Sequence, residues 1–449
     1  MKSPDRLSRR RFLKSTGQGA ALAALSARAP AVLAAKAPNE VIGVGHVGLG
    51  VRGGTLIRQV AGSKSGEKYP GIEGAKVVAV CDVYKPHLEK GVERSNNTSV
   101  RTYADYQELL ADKAVDAVVI ATPDAWHSKM LIDAANAGKH VYVEKGWTRT
   151  IAEAKAMRAA VKKNNIIMQL GHQGREKTAG AQAAQLIKDG LIGPVTLVRT
   201  GRMENRPLGQ NIWRWYGWYS EYTRPDPAQV ERDLDWKRWL GSAPERPFNM
   251  ERFWHWRCYW DYGTGIAGDM LSHEIDFVQG VLGYGIPDGC VCTGQIALLN
   301  DGREVPDTWN TVYEYKKQGC TVTFVCSMNT REPLQPPEFR GKEATLRCDG
   351  IAQDVSSFDV FADPASEKFA DRIAKGEIQA GKPFLKFDPA KTPPLPSHMQ
   401  DFFNCVRSGK KTRCNEDEAF IEAATLILSV EALKQERKVR WDAAKEEIV

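Results

Sequence analysis

The sequence has no run of the roughly 18 to 20 apolar residues that a membrane span needs, so it offers no candidate for a spanning helix. It has no C-x-x-C pair and no H-x-x-x-H or Cys/His cluster that would argue independently for zinc, and no metal is expected. Its nine cysteines are an odd number, scattered too thinly for a disulfide framework. Cys290 and Cys292 share a face if that segment is a strand, and one or two disulfides are compatible with export. Repeats and low-complexity tracts are missing too. No basic run is interleaved with the aromatics, which removes nucleic acid as a partner.

What is present is an ordinary globular mix, 42% hydrophobic and 26% charged over 449 residues, enough for two or three domains. The net charge of +7 sits at the front. Residues 1–37 hold Lys2, Arg6, Arg9, Arg10, Arg11, Lys14, Arg28 and Lys36 against Asp5, leaving 54 basic and 54 acidic residues in the rest. A weakly apolar stretch from Ser15 to Ala27 and the small-residue sequence Ala35-Lys36-Ala37 follow the arginines. This is the layout of a signal peptide. Arg9-Arg10-Arg11-Phe12-Leu13-Lys14 resembles the twin-arginine export signal, which implies the twin-arginine machinery as a partner and a periplasmic or otherwise exported destination. A basic amphipathic helix that stays attached is the plainer alternative.

From Glu40 to Lys163, short apolar strands alternate with helical segments, the pattern of a parallel sheet covered on both faces. Strands are expected at 41–47, 76–81, 115–121 and 140–143, with helices at 52–60, 105–111, 128–137 and 151–163. After Ile166 the character changes. A helix at 179–188 and a strand at 195–200 precede an irregular Trp-rich insertion at 203–262. Strands follow at 290–299, 309–316 and 320–328, and helices at 399–408 and 416–435 close the chain. The expected class is α/β: an N-terminal Rossmann dinucleotide-binding domain at 38–163, then a C-terminal α+β domain at 164–449 with an open, mostly antiparallel sheet.

The first strand ends in Gly48-Leu49-Gly50-Val51-Arg52-Gly53, a G-x-G-x-x-G opening a helix. Such glycines let the backbone approach a pyrophosphate, and the helix N-terminus stabilises its charge. Gly43–Gly48 fits the same pattern one turn too early. Asp82 ends the second strand, where a carboxylate accepts ribose hydroxyls and repels a 2′-phosphate. NAD is favoured over NADP, although Arg52 and Lys85 are near enough in sequence to keep NADP open.

Val118–Lys145, Gln169–Gln173, Leu234–Asn249 and Trp260–Asp276 together resemble the Gfo/Idh/MocA oxidoreductases over nearly the whole chain after residue 37. The resemblance implies that Thr122 and Pro123 line the nicotinamide side, that His127 lies near the cofactor, and that Glu144 and Lys145 sit beside the ring. It implies an open-sheet second domain carrying a sugar site, and a homo-oligomer. Gly146 stands where the family usually has proline after Glu-Lys. Lys145 would polarise the reacting oxygen. Asp269 and His273, spaced i, i+4, share a helix face; His273 would act as acid/base with Asp269 orienting it, or the two would ligate a metal, or form a buried pair. His127 is alternatively a helix cap. Gln173 reaches cofactor or substrate by resemblance, and Arg175 meets a substrate anion or is solvated. Trp260, with Trp213, Trp215, Trp218, Trp236, Trp239, Trp254 and Trp256, offers indole faces to a sugar or packs the insertion, and Tyr216, Tyr219 and Tyr222 are in the same position.

The expected function is hydride transfer between a sugar hydroxyl carbon and NAD. Export adds that the cofactor is loaded beforehand, held tightly and recycled in the site. NAD-dependent glycoside cleavage through transient oxidation is the alternative. A non-catalytic carbohydrate-binding protein on the same scaffold is a further one.

Overall fold

A computed structural model of the chain describes residues 40–63, 69–205, 224–330 and 335–449. The basic front segment lies outside the described residues, as do Trp213, Trp215, Trp218, Tyr216, Tyr219 and Tyr222.

The N-terminal sheet is parallel with six strands: β1 (Ile42–Val47), β2 (Ala75–Cys81), β3 (Arg101–Tyr103), β4 (Ala117–Ile120), β5 (His140–Val143) and β6 (Met168–Leu170). Their order is β3-β2-β1-β4-β5-β6. Between them run helices α1 (Val51–Ala61), α2 (Lys85–Arg94), α3 (Tyr106–Ala111), α4 (Asp124–Asn136) and α5 (Ile151–Asn164). All six residues of β1 are buried, as apolar strands between two helical layers must be. The order reverses direction between β1 and β4, so the crevice at their C-terminal ends opens there, where ligands bind in such sheets. In the early G-x-G-x-x-G match, Gly43 and Gly45 fall inside buried β1, so only Gly48 belongs to the turn.

Helix α6 (Thr178–Lys188) leads into the second sheet. Its strands are β7 (Val195–Met203), β8 (Gly289–Thr293), β9 (Thr308–Tyr315), β10 (Cys320–Ser327), β11 (Glu338–Gly341), β12 (Ala344–Cys348), β13 (Phe358–Ala362), β14 (Leu385–Lys386), β15 (Val439–Asp442) and β16 (Glu447–Ile448). The order is β14-β13-β12-β11-β7-β10-β9-β8-β15-β16, antiparallel except for β7 beside β10. Strands β9 and β10 alternate buried and half-buried residues, one face packed and the other open. Between β7 and β8 lie three short helices, α7 (Pro227–Asp233), α8 (Trp236–Leu240) and α9 (Met250–Trp254). A π-helical turn at Ala267–Leu271 then runs directly into α10 (Ser272–Leu282).

The boundary expected at 163/164 is corrected by two features. Strand β6 lies beyond it yet hydrogen-bonds β5 of the first sheet. Beyond the short α11 (Ala370–Ala374), helices α12 (His398–Ser408) and α13 (Glu416–Lys434) return to that sheet. Met399, Phe402, Phe403 and Val406 of α12 pack with Val44 and Leu56, while Phe420 and Ala423 of α13 pack with Val143 and Leu170. The first core is therefore closed by the last helices of the chain. All nine cysteines are free thiols. No helix among the described residues is long and apolar enough to cross a membrane.

Candidate functional site

At the C-terminal ends of β1, β2, β4 and β5 a cleft of about 700 Å³ opens between the first sheet and the π-helical turn. Many of the sequence-predicted residues line it: Gly48, Gly50, Val51, Arg52, Asp82, Thr122, Pro123, Glu144, Lys145, Gln173, Asp269 and His273, and of the candidate indoles Trp239 and Trp256. Gly53 does not line it. A Cβ there would lie 1.9 Å from Gly48 O, so this glycine sets how closely α1 approaches the turn. Gly48 has φ +82, a conformation that glycine adopts without penalty.

The amide end of α1 has no side-chain cap, its N-cap being Gly50. Its first-turn N–H groups therefore remain available to an anion. Asp82 braces the turn from β2, accepting from Leu49 N–H at 2.7 Å and Tyr84 N–H at 2.9 Å. Arg52 is held by Glu144 at 2.6 Å and by Gln173 Oε1 at 3.1 Å. The open glycine cradle, the uncapped helix end and a carboxylate at the end of β2 fit a dinucleotide.

Lys145 follows β5. Its ammonium donates to Asp269 Oδ1 and to the Asp269 carbonyl, each at 2.8 Å. An ammonium has three N–H groups, so one is left for the cleft. Gly146 next to it is tightly packed, since a Cβ there would stand 3.1 Å from Gly268 Cα and 3.3 Å from Asp124 Oδ2. Arg257 Nε lies 3.3 Å from the same Asp269 oxygen.

The expectation that Asp269 orients His273 is corrected. Asp269 lies in a π-helical turn, in which Ser272 N–H bonds back to Ala267 O across five residues. Asp269 is directed to Lys145, and no hydrogen bond joins it to His273. His273 makes no side-chain hydrogen bond to a described residue, and its ring stands edge-on to His172 with centroids 5.5 Å apart. Burial, then the charges of Lys145, His172, Arg202 and Arg52, pushes its pKa well below the ordinary histidine value. It is a neutral imidazole at neutral pH, able to accept a proton.

Three further expectations are corrected. His127 does not line the cleft; it is fully buried, with Nδ1 2.8 Å from Gly146 O and Nε2 3.0 Å from Thr122 O. It ties together the two segments that carry Thr122 and Lys145. We expect His127→Ala to leave one buried carbonyl without its donor and a cavity beside it, lowering stability by about 3 kcal/mol, read from the urea midpoint. Arg175 is spent on Asp276, at 2.8 Å from Nε, and on Glu418, at 3.2 Å from Nη2, so it has no charge free for a substrate anion. Trp260 faces away, its backbone and indole N–H groups bonded to Glu304 and its ring under Lys434 Nζ at 4.4 Å. Among the described residues the indoles in the cleft are Trp126, Trp239 and Trp256. Arg257 and Gln353 were missed altogether; Gln353 arrives from the segment after β12, which carries no motif.

Behind His273 lies a buried polar cluster. His172 Nε2 is 2.7 Å from Glu422 Oε2, and Nδ1 is 4.0 Å from Asp276 Oδ2. Burial opposes charge on His172, but the two carboxyls outweigh it and hold its pKa above the ordinary value. The short His–Glu contact is a buried ion pair, closer than two ligands on one metal ion would sit. Nearby, Glu274 of α10 bonds Thr200 of β7 and Ala352 N–H. Burial raises its carboxyl to about 7 from 4.5. The folded chain therefore holds a proton that the unfolded chain releases. This contribution to stability is present below pH 4.5 and lost as the pH rises through about 7, roughly 3 kcal/mol in all. We expect Glu274→Gln to flatten that fall in denaturation curves taken from pH 4.5 to 8.

Fold and cleft together define a two-domain dinucleotide-binding oxidoreductase scaffold. The profile of the "Oxidoreductase family, NAD-binding Rossmann fold" matches residues 42–172, and that of its C-terminal alpha/beta domain matches residues 178–332. The chain belongs to the Gfo/Idh/MocA oxidoreductase family. It is 37% identical over 127 residues to a scyllo-inositol 2-dehydrogenase (NAD(+)) of Bacillus subtilis, covering 27% of this chain and 35% of that one. It is 29% identical over 213 residues to an alpha-N-acetylgalactosaminidase of Shewanella oneidensis, covering 42% and 44%. The chain thus spans about a third to under half the length of these curated relatives. Its fold matches that of levoglucosan dehydrogenase in complex with NADH, with TM-score 0.64 and 19% identity, covering 89% of this chain and 99% of the other. The aldose-aldose oxidoreductase of Caulobacter crescentus matches with TM-score 0.64 at 19% identity, covering 89% and 100%.

Proposed function

We propose that this protein transfers hydride between a hydroxyl-bearing carbon of a sugar or sugar derivative and NAD. The observation that carries this reading is the Lys145–Asp269 pair beside a neutral His273, in the same cleft as the glycine turn and Asp82. Gly48, Gly50 and the amide end of α1 would hold the pyrophosphate, and Asp82 the ribose. The cofactor, when bound, supplies the hydride acceptor. Asp269 fixes the Lys145 ammonium, whose remaining N–H donates to the substrate oxygen and stabilises negative charge developing there. A ring nitrogen of His273 takes the hydroxyl proton in oxidation and returns it in reduction. Trp126, Trp239 and Trp256 enclose the site with apolar ring faces.

The second reading, glycoside cleavage by transient oxidation, is favoured by the similarity to the Shewanella galactosaminidase. The same Lys145 and His273 roles serve its oxidation and re-reduction steps. For export by the twin-arginine route the supporting feature is the concentration of the whole +7 in residues 1–37. An exported enzyme of this kind must keep its cofactor bound and recycle it. One preparation from an export-competent host tests these together. Mass spectrometry identifies the nucleotide released on denaturation, and reduced-nicotinamide absorbance is followed as sugars and glycosides are added. Net sugar release without net redox change would replace the first reading by the second; no bound nucleotide would sink the retained-cofactor idea.

A further inference from the structure

A second cavity of about 220 Å³ adjoins the cofactor cleft. The two share His273 and Gln353. His273 is only 8% exposed, and neither side chain hydrogen-bonds a described residue. They stand in the partition between the two cavities, which is where a ligand reaching across would touch them.

The far wall of the second cavity suits an anion. It includes the first turn of α6, through Lys177, Gly180 and Ala181. That 11-residue helix has Lys177 as its N-cap and no side-chain cap, so its leading N–H groups remain available. Gly180, Ala181 and, across on α10, Gly280 keep the wall low enough for a ligand to approach the backbone. Among the described residues the cations that line the cavity are Arg175, Lys177 and Arg413, and two of them are already spent on carboxylates. Arg175 is neutralised by Asp276 and Glu418, and Arg413 Nε lies 3.2 Å from Asp401 Oδ2. Lys177 is exposed and has no carboxylate partner among the described residues. The volume is that of roughly seven waters, room for a small polar fragment and too little for a second nucleotide.

We propose that the second cavity is an anion subsite. It receives the carboxylate or phosphate group of a substrate whose reacting carbon lies at Lys145 and His273, with His273 and Gln353 contacting the part in between. The inference rests on the oxidoreductase reading for its link to chemistry, while the subsite itself is testable by binding alone.

Isothermal titration of the mature protein with inorganic phosphate, glucuronate and glucose makes the test, on wild type, Lys177→Glu and Lys177→Arg. Phosphate and glucuronate should bind saturably and lose affinity with salt, with about tenfold or greater weakening in Lys177→Glu and recovery in Lys177→Arg. Binding of phosphate alone marks a phosphorylated substrate, and binding of glucuronate alone an acidic sugar. Equal anion affinity in wild type and Lys177→Glu, or no saturable binding to either anion, would overturn the subsite; in that case turnover of a neutral sugar would leave the oxidoreductase reading standing. Lys177-dependent binding without nicotinamide reduction or product release by any sugar, glycoside or sugar phosphate would overturn the link to catalysis and, separately, the functional reading.

Discussion

Replacing Lys145 with Met should lower hydride transfer by about 10³-fold while NAD affinity stays within a few-fold of wild type. The ammonium is fixed by two hydrogen bonds to Asp269 and presents its third N–H to the cleft. Met keeps the side chain's length and removes the charge and the donors. The loss has two parts. The developing oxyanion loses its donor, and the Asp269 carboxylate is left near it with Arg257 as its neighbouring cation, Nε at 3.3 Å. Single-turnover absorbance at the reduced-nicotinamide band measures the first quantity. Quenching of Trp126, Trp239 and Trp256 fluorescence on titration with NAD measures the second. Asp269→Asn should lose most of the same activity, because it frees the ammonium rather than removing it. Turnover within threefold of wild type in Lys145→Met would show that the site works without this pair.

The second large effect is at Gly53. A Cβ there would lie 1.9 Å from Gly48 O and 2.8 Å from Gly48 C. These are backbone atoms and cannot swing aside, so α1 must move off the turn. Gly53→Ala should cost about 3 kcal/mol and, by misplacing the leading amides of α1, weaken NAD binding by about 100-fold or more. Gly350→Ala is the matched control, because its nearest contact is an ordinary 3.7 Å. Calorimetric NAD binding and urea midpoints on both variants make the comparison. NAD affinity unchanged in Gly53→Ala would remove the glycine turn from the cofactor site.

Much of the first sheet is legible as pattern. Strands β1, β2, β4 and β5 are apolar runs and sit close to their expected positions; β5 is His140–Val143 as read. Strands β3 and β6 have three residues each, too short to show a period, and their strand character comes from pairing with β2 and β5. Helix α2 has only His87 and Gly91 buried, so it presents little apolar face to detect. The cofactor half of the site follows chain order, since its glycines, Asp82, Thr122 and Lys145 all end or follow strands of one parallel sheet. The substrate half does not. Arg175 is a cation in a loop by sequence, and only the fold supplies Asp276 and Glu418 to neutralise it. Trp260 is one indole among many until Glu304 and Lys434 turn it away from the cleft.

By itself the sequence determined the parallel sheet, the glycine turn, the carboxylate at the end of β2 and the presence of Lys145, Asp269 and His273, because these depend on local pattern and strand ends. Tertiary structure alone decided which of those groups touch. The return of the π-helical turn to the first sheet pairs Asp269 with Lys145 rather than with His273. The return of α13 brings Glu422 to His172. The approach of α6 to α10 builds a second cavity behind His273. Each depends on backbone geometry and long-range packing, which no single stretch of sequence encodes.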